Sequence, residues 1–243
     1  MPDELENLKV VSSGGMLQNF KKYMVRVTGS TSFFRYCMQG FILSICTPLP
    51  SIFAAFLRGM LYRLLLGGSG KSCLIERNVT FHLPGRIFLS DHVVIQENTV
   101  LDPFHREGRI VLKSNVQISR NGLLKSGRGS IEIDESVYVG PNAVFYGIGG
   151  IHIGCHCLIA NNVQLLSGDH VYEDKNRLIK TQGAKNRPIE IGEDVWLGAS
   201  VIVLGGVTIG KGAVVGAGSL VRNDIPEYGI AVGNPARVVK MRG

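Results

Sequence analysis

A chain of 243 residues, 45% hydrophobic and 19% charged, can bury a full core and suits a folded soluble or membrane-surface protein. Five cysteines, odd in number and without a CxxC pair, indicate neither a zinc knuckle nor a disulfide framework, and a reducing, cytoplasmic setting follows. The net charge of +7 is unevenly placed, and its basic residues are interleaved with apolar runs rather than with exposed aromatics on a sheet, which argues against nucleic-acid binding.

Residues 1–72 form the first region. From Asn7 to Ile75 there is no Asp or Glu, while Lys9, Lys21, Lys22, Arg26, Arg35, Arg58, Arg63 and Lys71 supply eight positive charges. Two apolar stretches fill it. One is Phe33 to Thr47; the other, after Pro48 and Pro50, is Ser51 to Leu66, which reads as a helix apolar on most sides and interrupted by Arg58 and Arg63. Neither supplies the roughly 20 uninterrupted apolar residues that a spanning helix needs. Two readings stand: a basic amphipathic helix drawn to anionic lipid at the inner face of the cytoplasmic membrane, and a helical cap over the open end of the repeats that follow. Asp3, Glu4 and Glu6, ahead of an apolar run that starts late, do not make a secretory signal.

Residues 73–243 carry a six-residue pattern. It begins irregularly, with aliphatic residues opening hexapeptides at Leu89, Ile95, Leu112, Ile133, Val139, Ile153 and Ile159. Leu89, Leu112, Ile133 and Ile153 lie 20 to 23 residues apart, slightly more than three hexapeptides, which predicts small bulges at corners. Cys155 and Cys157 alternate along a strand and read as buried small thiols. Between Ile153 and Ile191 the gap widens to 38 residues, so one coil carries an excursion of about twenty residues, 166–187, where function is expected to sit.

From Ile191 to Pro226 the pattern is strict: Ile191, Leu197, Val203, Ile209, Val215 and Val221 each open a hexapeptide. A period this short is not a helical array, whose repeats run to about 20 to 45 residues. Three hexapeptides make a triangular coil, the opening residue pointing inward and burying its surface only when coils stack. The Gly after the aliphatic residue reads as the bend, and Ala213 and Ser219 as small residues at a crowded corner.

These repeats, together with Gly168-Asp169-His170-Val171-Tyr172-Glu173-Asp174, Val195-Trp196-Leu197-Gly198-Ala199 and the closing Ala231-Val232-Gly233-Asn234-Pro235-Ala236-Arg237-Val238, resemble the hexapeptide-repeat O-acetyltransferases. The nearest in pattern are the galactoside and maltose acetyltransferases and the polysaccharide O-acetyltransferases. The resemblance covers about residues 75–243. It implies an all-β, left-handed parallel β-helix, assembled as a homotrimer with active sites between subunits, that moves an acetyl group from acetyl-CoA to a sugar hydroxyl of a polysaccharide or glycoconjugate precursor. Parallel crossovers are ordinarily right-handed, so the left hand comes from the resemblance alone.

The resemblance also implies residue roles. His170, seven residues after Val163, stands where these relatives carry a catalytic histidine, and an imidazole titrates in the range a general base requires. Asp169, Glu173 or a backbone carbonyl orients it. Asn142 matches an asparagine near the acceptor pocket, although asparagine is equally at home at a solenoid corner. Trp196, the only tryptophan, opens onto an outer face and would lie against coenzyme A. Gly198, Ala199, Ala217 and Gly218 would meet the pantetheine arm, with a backbone N–H beside Gly198 or Ala199 as oxyanion donor. Arg222, Arg237 and Lys240 would meet the phosphates, Arg237 being the safer assignment because Arg222-Asn223 stands where relatives commonly read Thr-Lys. No metal is expected.

Three other readings stay open. A γ-class carbonic anhydrase-like enzyme would need His152, His156 and His170 to converge on zinc across an interface, and the spacing of the first two is one residue short. A non-catalytic scaffold is the second. The third is a transferase for an amino sugar, serine or an antibiotic; the acid-free apolar N-terminal region favours the polysaccharide acceptor.

Overall fold

The computed structural model describes residues 15–46 and 51–243. Pro48 and Pro50, read above as the break between two apolar stretches, lie outside them, as do Asp3, Glu4, Glu6 and Lys9.

The hexapeptides wind into a parallel β-solenoid of seven coils with three flat faces, the left-handed β-helix that the resemblance implies. Face A stacks seven strands from Gly68–Ser69 to Thr208–Ile209, face B nine from Leu74–Ile75 to Ala236–Met241, and face C seven from Thr80–Phe81 to Leu220–Val221. Register is uniform among the parallel strands, so equivalent residues stack; the closing pair Gly229–Gly233 and Ala236–Met241 is antiparallel, with a shift at Ile230/Ala231. On face A, Ile133 lies against Leu112 and Ile153, and Ile153 against Ile191. On face B the inward column is Ile75, Ile95, Ile118, Val139, Ile159, Leu197, Val215 and Ala231. On face C it is Phe81, Leu101, Leu124, Phe145, Leu165, Val203 and Val221. All are buried. Alternation along a strand turns every second side chain inward, so the residue two places before each opening aliphatic, such as Val93, Val116 and Val137, is buried with it.

The corners differ from each other. At the corner from face B to face C, the fourth hexapeptide position is left-handed in every coil: Asn78, Asn98, Asn121, Asn142, Asn162, Ser200 and Gly218, with φ between 57° and 70°. Asparagine tolerates that conformation, and here its amide also stacks: Asn78 donates to Asn98, Asn98 to Asn121, and Asn121 to Asn142, at 3.0 to 3.2 Å. The corner from face A to face B repeats the device with His92, Asn115, Ser136, His156, Asp194 and Gly212. The glycine that follows the aliphatic residue therefore does not make the bend. Gly140, Gly192 and Gly198 are absent from the left-handed set; a Cβ on any of them would sit 2.6 to 2.7 Å from the backbone of the next coil. Their smallness permits stacking. The surplus residues behind the 20-to-23-residue spacing collect at the third corner, from face C to face A, where Pro84–Arg86 and residues 104–109 bulge outward.

Among the described residues three helices precede the coils: α1, Met16–Thr28; α2, Phe33–Cys46; and α3, Ile52–Leu61, which runs on as a 3-10 turn at Tyr62–Leu64. Ile42, Cys46, Tyr62, Leu65 and Leu66 join the same core as the first coil, with the Tyr62 ring set edge-on against Phe81 at 5.5 Å. Arg58 is the largest buried side chain. Its guanidinium donates from Nε to the Ile75 carbonyl at 2.7 Å and from Nη1 to the Cys46 carbonyl at 2.9 Å, tying the end of α2 to the first coil. Burial lowers its pKa, with Tyr62, Cys46 and Glu76 opposing that shift.

Candidate active site

The predicted excursion leaves the third corner between Gln164–Leu166 on face C and Ile189–Ile191 on face A. It is a β-hairpin, Gly168–His170 paired antiparallel with Ala184–Asn186, closed by a short helical turn at Ile179–Gln182. Its two ends are pinned at Ser167. The Arg187 N–H donates to the Ser167 carbonyl at 2.9 Å, and the buried Ser167 hydroxyl donates to the Tyr146 carbonyl while accepting from the Gly149 N–H, each at 2.9 Å. The tip is held by its own polar groups: Gln182 Nε2 donates to the Asp174 carbonyl, and its Oε1 accepts from the Asp174 N–H.

His170 is presented on the first hairpin strand, half-buried, at the edge of the third corner. Its Nδ1 is buried and has no hydrogen-bond partner among the described residues. Neither neighbouring carboxylate takes the ring. Asp169 Oδ1 accepts from the His170 backbone N–H at 2.8 Å. Glu173 accepts from Lys185 Nζ at 2.6 Å and from the Tyr172 N–H at 3.1 Å, and the hydrogen bond from Lys185 holds its carboxyl below the usual range. An imidazole with a buried, unsatisfied nitrogen is costly unless something completes it.

Trp196 lies on the outer side of face B, 51% exposed, in a column with Tyr138, Leu158 and Val214. The chain then turns the corner through Gly198 and Ala199. The next coil places Ala217 and Gly218 there, both exposed, with the Gly218 N–H donating to the Ala199 carbonyl at 2.8 Å. Nothing lies within 4 Å of where a Gly218 side chain would begin. The Gly198 N–H donates to the Val215 carbonyl at 2.8 Å, so it belongs to the ladder and Ala199 is the remaining backbone donor of the pair. Arg237 and Lys240 stand exposed on the closing strand Ala236–Met241, opposite Val232 and Ile230, and Arg222 is exposed after the last repeat. Open corner, half-exposed indole and nearby cations fit an extended thioester arm ending in phosphates. This group lies at the face B side of face C, whereas His170 rises from its opposite edge. One chain therefore does not join them across a single corner.

Asn142 sits in the corner ladder, accepting from Asn121 at 3.0 Å. Cys157 is buried, with its thiol donating to the Gly192 carbonyl at 3.0 Å, and Cys155 is half-buried. His152 stands between two carboxylates, Nδ1 to Glu190 and Nε2 to Asp134 at 3.2 Å each, while His156 occupies a left-handed corner. Among the described residues no cluster of three or more His, Cys, Asp or Glu is arranged to hold a metal.

A further cluster has no counterpart in the sequence reading. Lys125 lies over the Phe104 ring at 4.8 Å and the Tyr146 ring at 5.4 Å, on the outer side of face C beside Leu166, where the hairpin begins. Burial lowers the Lys125 pKa; burial and then the Asp102 charge raise that of Tyr146. These positions face outward, so the six-residue aliphatic pattern carries no signal for them.

Residues 188–223 match the family model described as bacterial transferase hexapeptide, six repeats. Over 119 residues, 49% of this chain and 40% of the relative, the sequence is 40% identical to "Probable acetyltransferase Rv3034c" of Mycobacterium tuberculosis. It is 38% identical over 112 residues to a Schizosaccharomyces pombe protein that also bears an acetyltransferase name, covering 46% of this chain and 53% of that one. The chain thus spans about half the length of the curated relatives it matches. Among solved structures, AntD, an N-acyltransferase from Bacillus cereus in complex with dTDP and 3-hydroxybutyryl-CoA, superposes with a TM-score of 0.55 at 21% identity, covering 76% of this chain and 88% of AntD. At that identity the likeness is one of fold.

Proposed function

We propose that this chain, whose residues 188–223 match the bacterial transferase hexapeptide model, is an O-acetyltransferase moving the acetyl group of acetyl-CoA to a sugar hydroxyl of a polysaccharide or glycoconjugate precursor. The observation that carries this reading is His170, displayed on a hairpin pinned at both ends, with a buried ring nitrogen that nothing among the described residues satisfies. The imidazole takes the hydroxyl proton as the sugar oxygen attacks the thioester carbonyl carbon. The Ala199 N–H faces the oxyanion that forms there. As the C–S bond breaks, the imidazolium returns its proton to the departing sulfur, giving the ester and free coenzyme A. No acyl-enzyme is needed. Trp196 and the Ala199, Ala217 and Gly218 corner hold the donor, and Arg237, Lys240 and Arg222 its phosphates.

The division of these groups between opposite edges of face C supports a homotrimer in which His170 of one copy completes the donor surface of the next. The test pairs two readouts on His170→Ala. Coenzyme A release in the presence of sugar acceptors is expected to fall at least ~100-fold, while the acetyl-CoA-induced change in Trp196 emission persists. Unchanged turnover would remove His170 as base; loss of the emission change in the unsubstituted protein would remove the donor assignment.

A further inference from the structure

Among the described residues, α2 and α3 turn one side toward the protein and leave another without a partner. On α2 the buried positions are Gln39, Ile42 and Cys46, while Phe34 and Phe41 are 77% and 68% exposed. On α3, Ala54, Ala55 and Arg58 face inward, yet Phe53 and Phe56 are 83% and 64% exposed, and the chain continues with Met60 and Leu64 at 60% and 61%. A helix apolar on every side belongs in a larger apolar environment than the one that caps the first coil. These helices are only 13, 14 and 10 residues long, and none of the described helices is long and apolar enough to cross a membrane.

The charge on this surface has one sign. Lys21, Arg26, Arg35, Arg63 and Lys71 are exposed, and no acidic residue occurs between Asn7 and Ile75. Arg58 does not contribute, since its guanidinium is spent on the Cys46 and Ile75 carbonyls. Packing this face against a second copy of itself would bring together two sets of helices that carry exposed cations and no acid of their own. A bilayer carrying anionic headgroups supplies both what the aromatics and what the cations require.

We infer that the outer face of the helical cap is a docking surface for anionic lipid bilayers, on which the protein lies without spanning. The cap and the membrane readings of this region are then two sides of one element. The large side chains at 34, 41, 53, 56, 60 and 64 enter the boundary between headgroups and chains, and the flanking cations meet the headgroups.

The experiment is flotation of the full-length protein with vesicles of phosphatidylcholine alone or with about a third phosphatidylglycerol. Binding is expected on the anionic vesicles at ~0.1 M salt, at least ~10-fold weaker at ~0.5 M salt and absent on the neutral ones. The variant Phe53→Ser/Phe56→Ser/Met60→Ser, which alters only exposed positions, should lose binding while keeping the native far-UV spectrum and assembly mass. Arg35→Glu/Arg63→Glu should bind the anionic vesicles at least ~10-fold more weakly, with a smaller salt dependence, at the same native far-UV spectrum and assembly mass. Equal binding to both vesicle types, or none to either, overturns the inference. So does a result in which these variants dissociate the protein's own assembly but leave vesicle binding intact, because the face would then be a contact between copies. None of these readouts involves acetyl transfer, so the inference stands or falls apart from the proposed activity.

Discussion

Cys73 and Cys157 occupy a column that other coils fill with Val93, Val116, Val137, Val195 and Ala213, one hydrogen bond apart from coil to coil. That placement explains both thiols as core side chains. Burial pushes the Cys157 thiol up to about 11, and its folded pKa is therefore raised above the ordinary value of 9.0. A raised pKa contributes stability that is fully present below pH 9 and lost as pH rises through 11. Cys157→Val should cost no more than about 1 kcal/mol at pH 7, the net value of the hydrogen bond to Gly192. Urea melts between pH 9 and 11 should then show the variant losing about 2 kcal/mol less than the parent, within a factor of two; identical pH slopes would refute the assignment. A second residue-scale test concerns Asn142, whose left-handed φ of 60° and ladder bond from Asn121 mark a corner. Asn142→Gly removes the bond but relaxes the backbone, so stability should change by less than about 1 kcal/mol. Unchanged KM for the acceptor would leave Asn142 a corner residue only, whereas a large rise would restore its place in the acceptor pocket.

At the scale of elements, two joints hold the fold: coil on coil, and cap on first coil. In the first, Gly192 places its Cα where a Cβ would lie 2.7 Å from the Lys211 backbone nitrogen. Gly192→Ala must spread two coils and is expected to cost about 1–3 kcal/mol in a denaturant melt. Full retention of stability would show that the stack can yield locally. In the second joint, Arg58→Met keeps most of the buried volume but orphans the Cys46 and Ile75 carbonyls. Breaking such a bond set typically costs ~3 kcal/mol or more, and faster proteolysis within residues 15–66 at an unchanged solenoid signal would report it. The inward columns were legible from Ile191 to Val221 because each hexapeptide announces its own inward residue. The first coil, with Ile75 and Phe81, was not, since no regular neighbour marks its phase. In the sequence Arg58 only interrupts an apolar run; the carbonyls at the end of α2 and on Ile75 are what turn it inward. Phe104, Lys125 and Tyr146 escaped for a related reason: they come from three different coils and meet only once the register of face C is known.

At the scale of the molecule, the proposed donor surface and His170 stand on opposite edges of face C, and that arrangement makes the assembly itself testable. The variants His170→Ala and Ala217→Trp damage the two halves separately, the second by filling the exposed corner reserved for the donor arm. Each alone should be nearly inactive. Co-refolded in equal amounts, they form mixed trimers if the proposed assembly holds. If His170 of one copy serves the donor surface of the next, a site is intact whenever a histidine-bearing chain meets a neighbour with an open corner. Random assortment gives that pairing in about a quarter of sites, so activity should recover to about a quarter of the parent's per chain. Light scattering must show the same trimeric mass for parent, variants and mixture. An inactive mixture of correct mass would mean that both halves of each site come from one chain, with the 166–187 hairpin reaching back across face C. A monomeric mass would refute the shared site at once, since His170 would then have no neighbouring copy to serve.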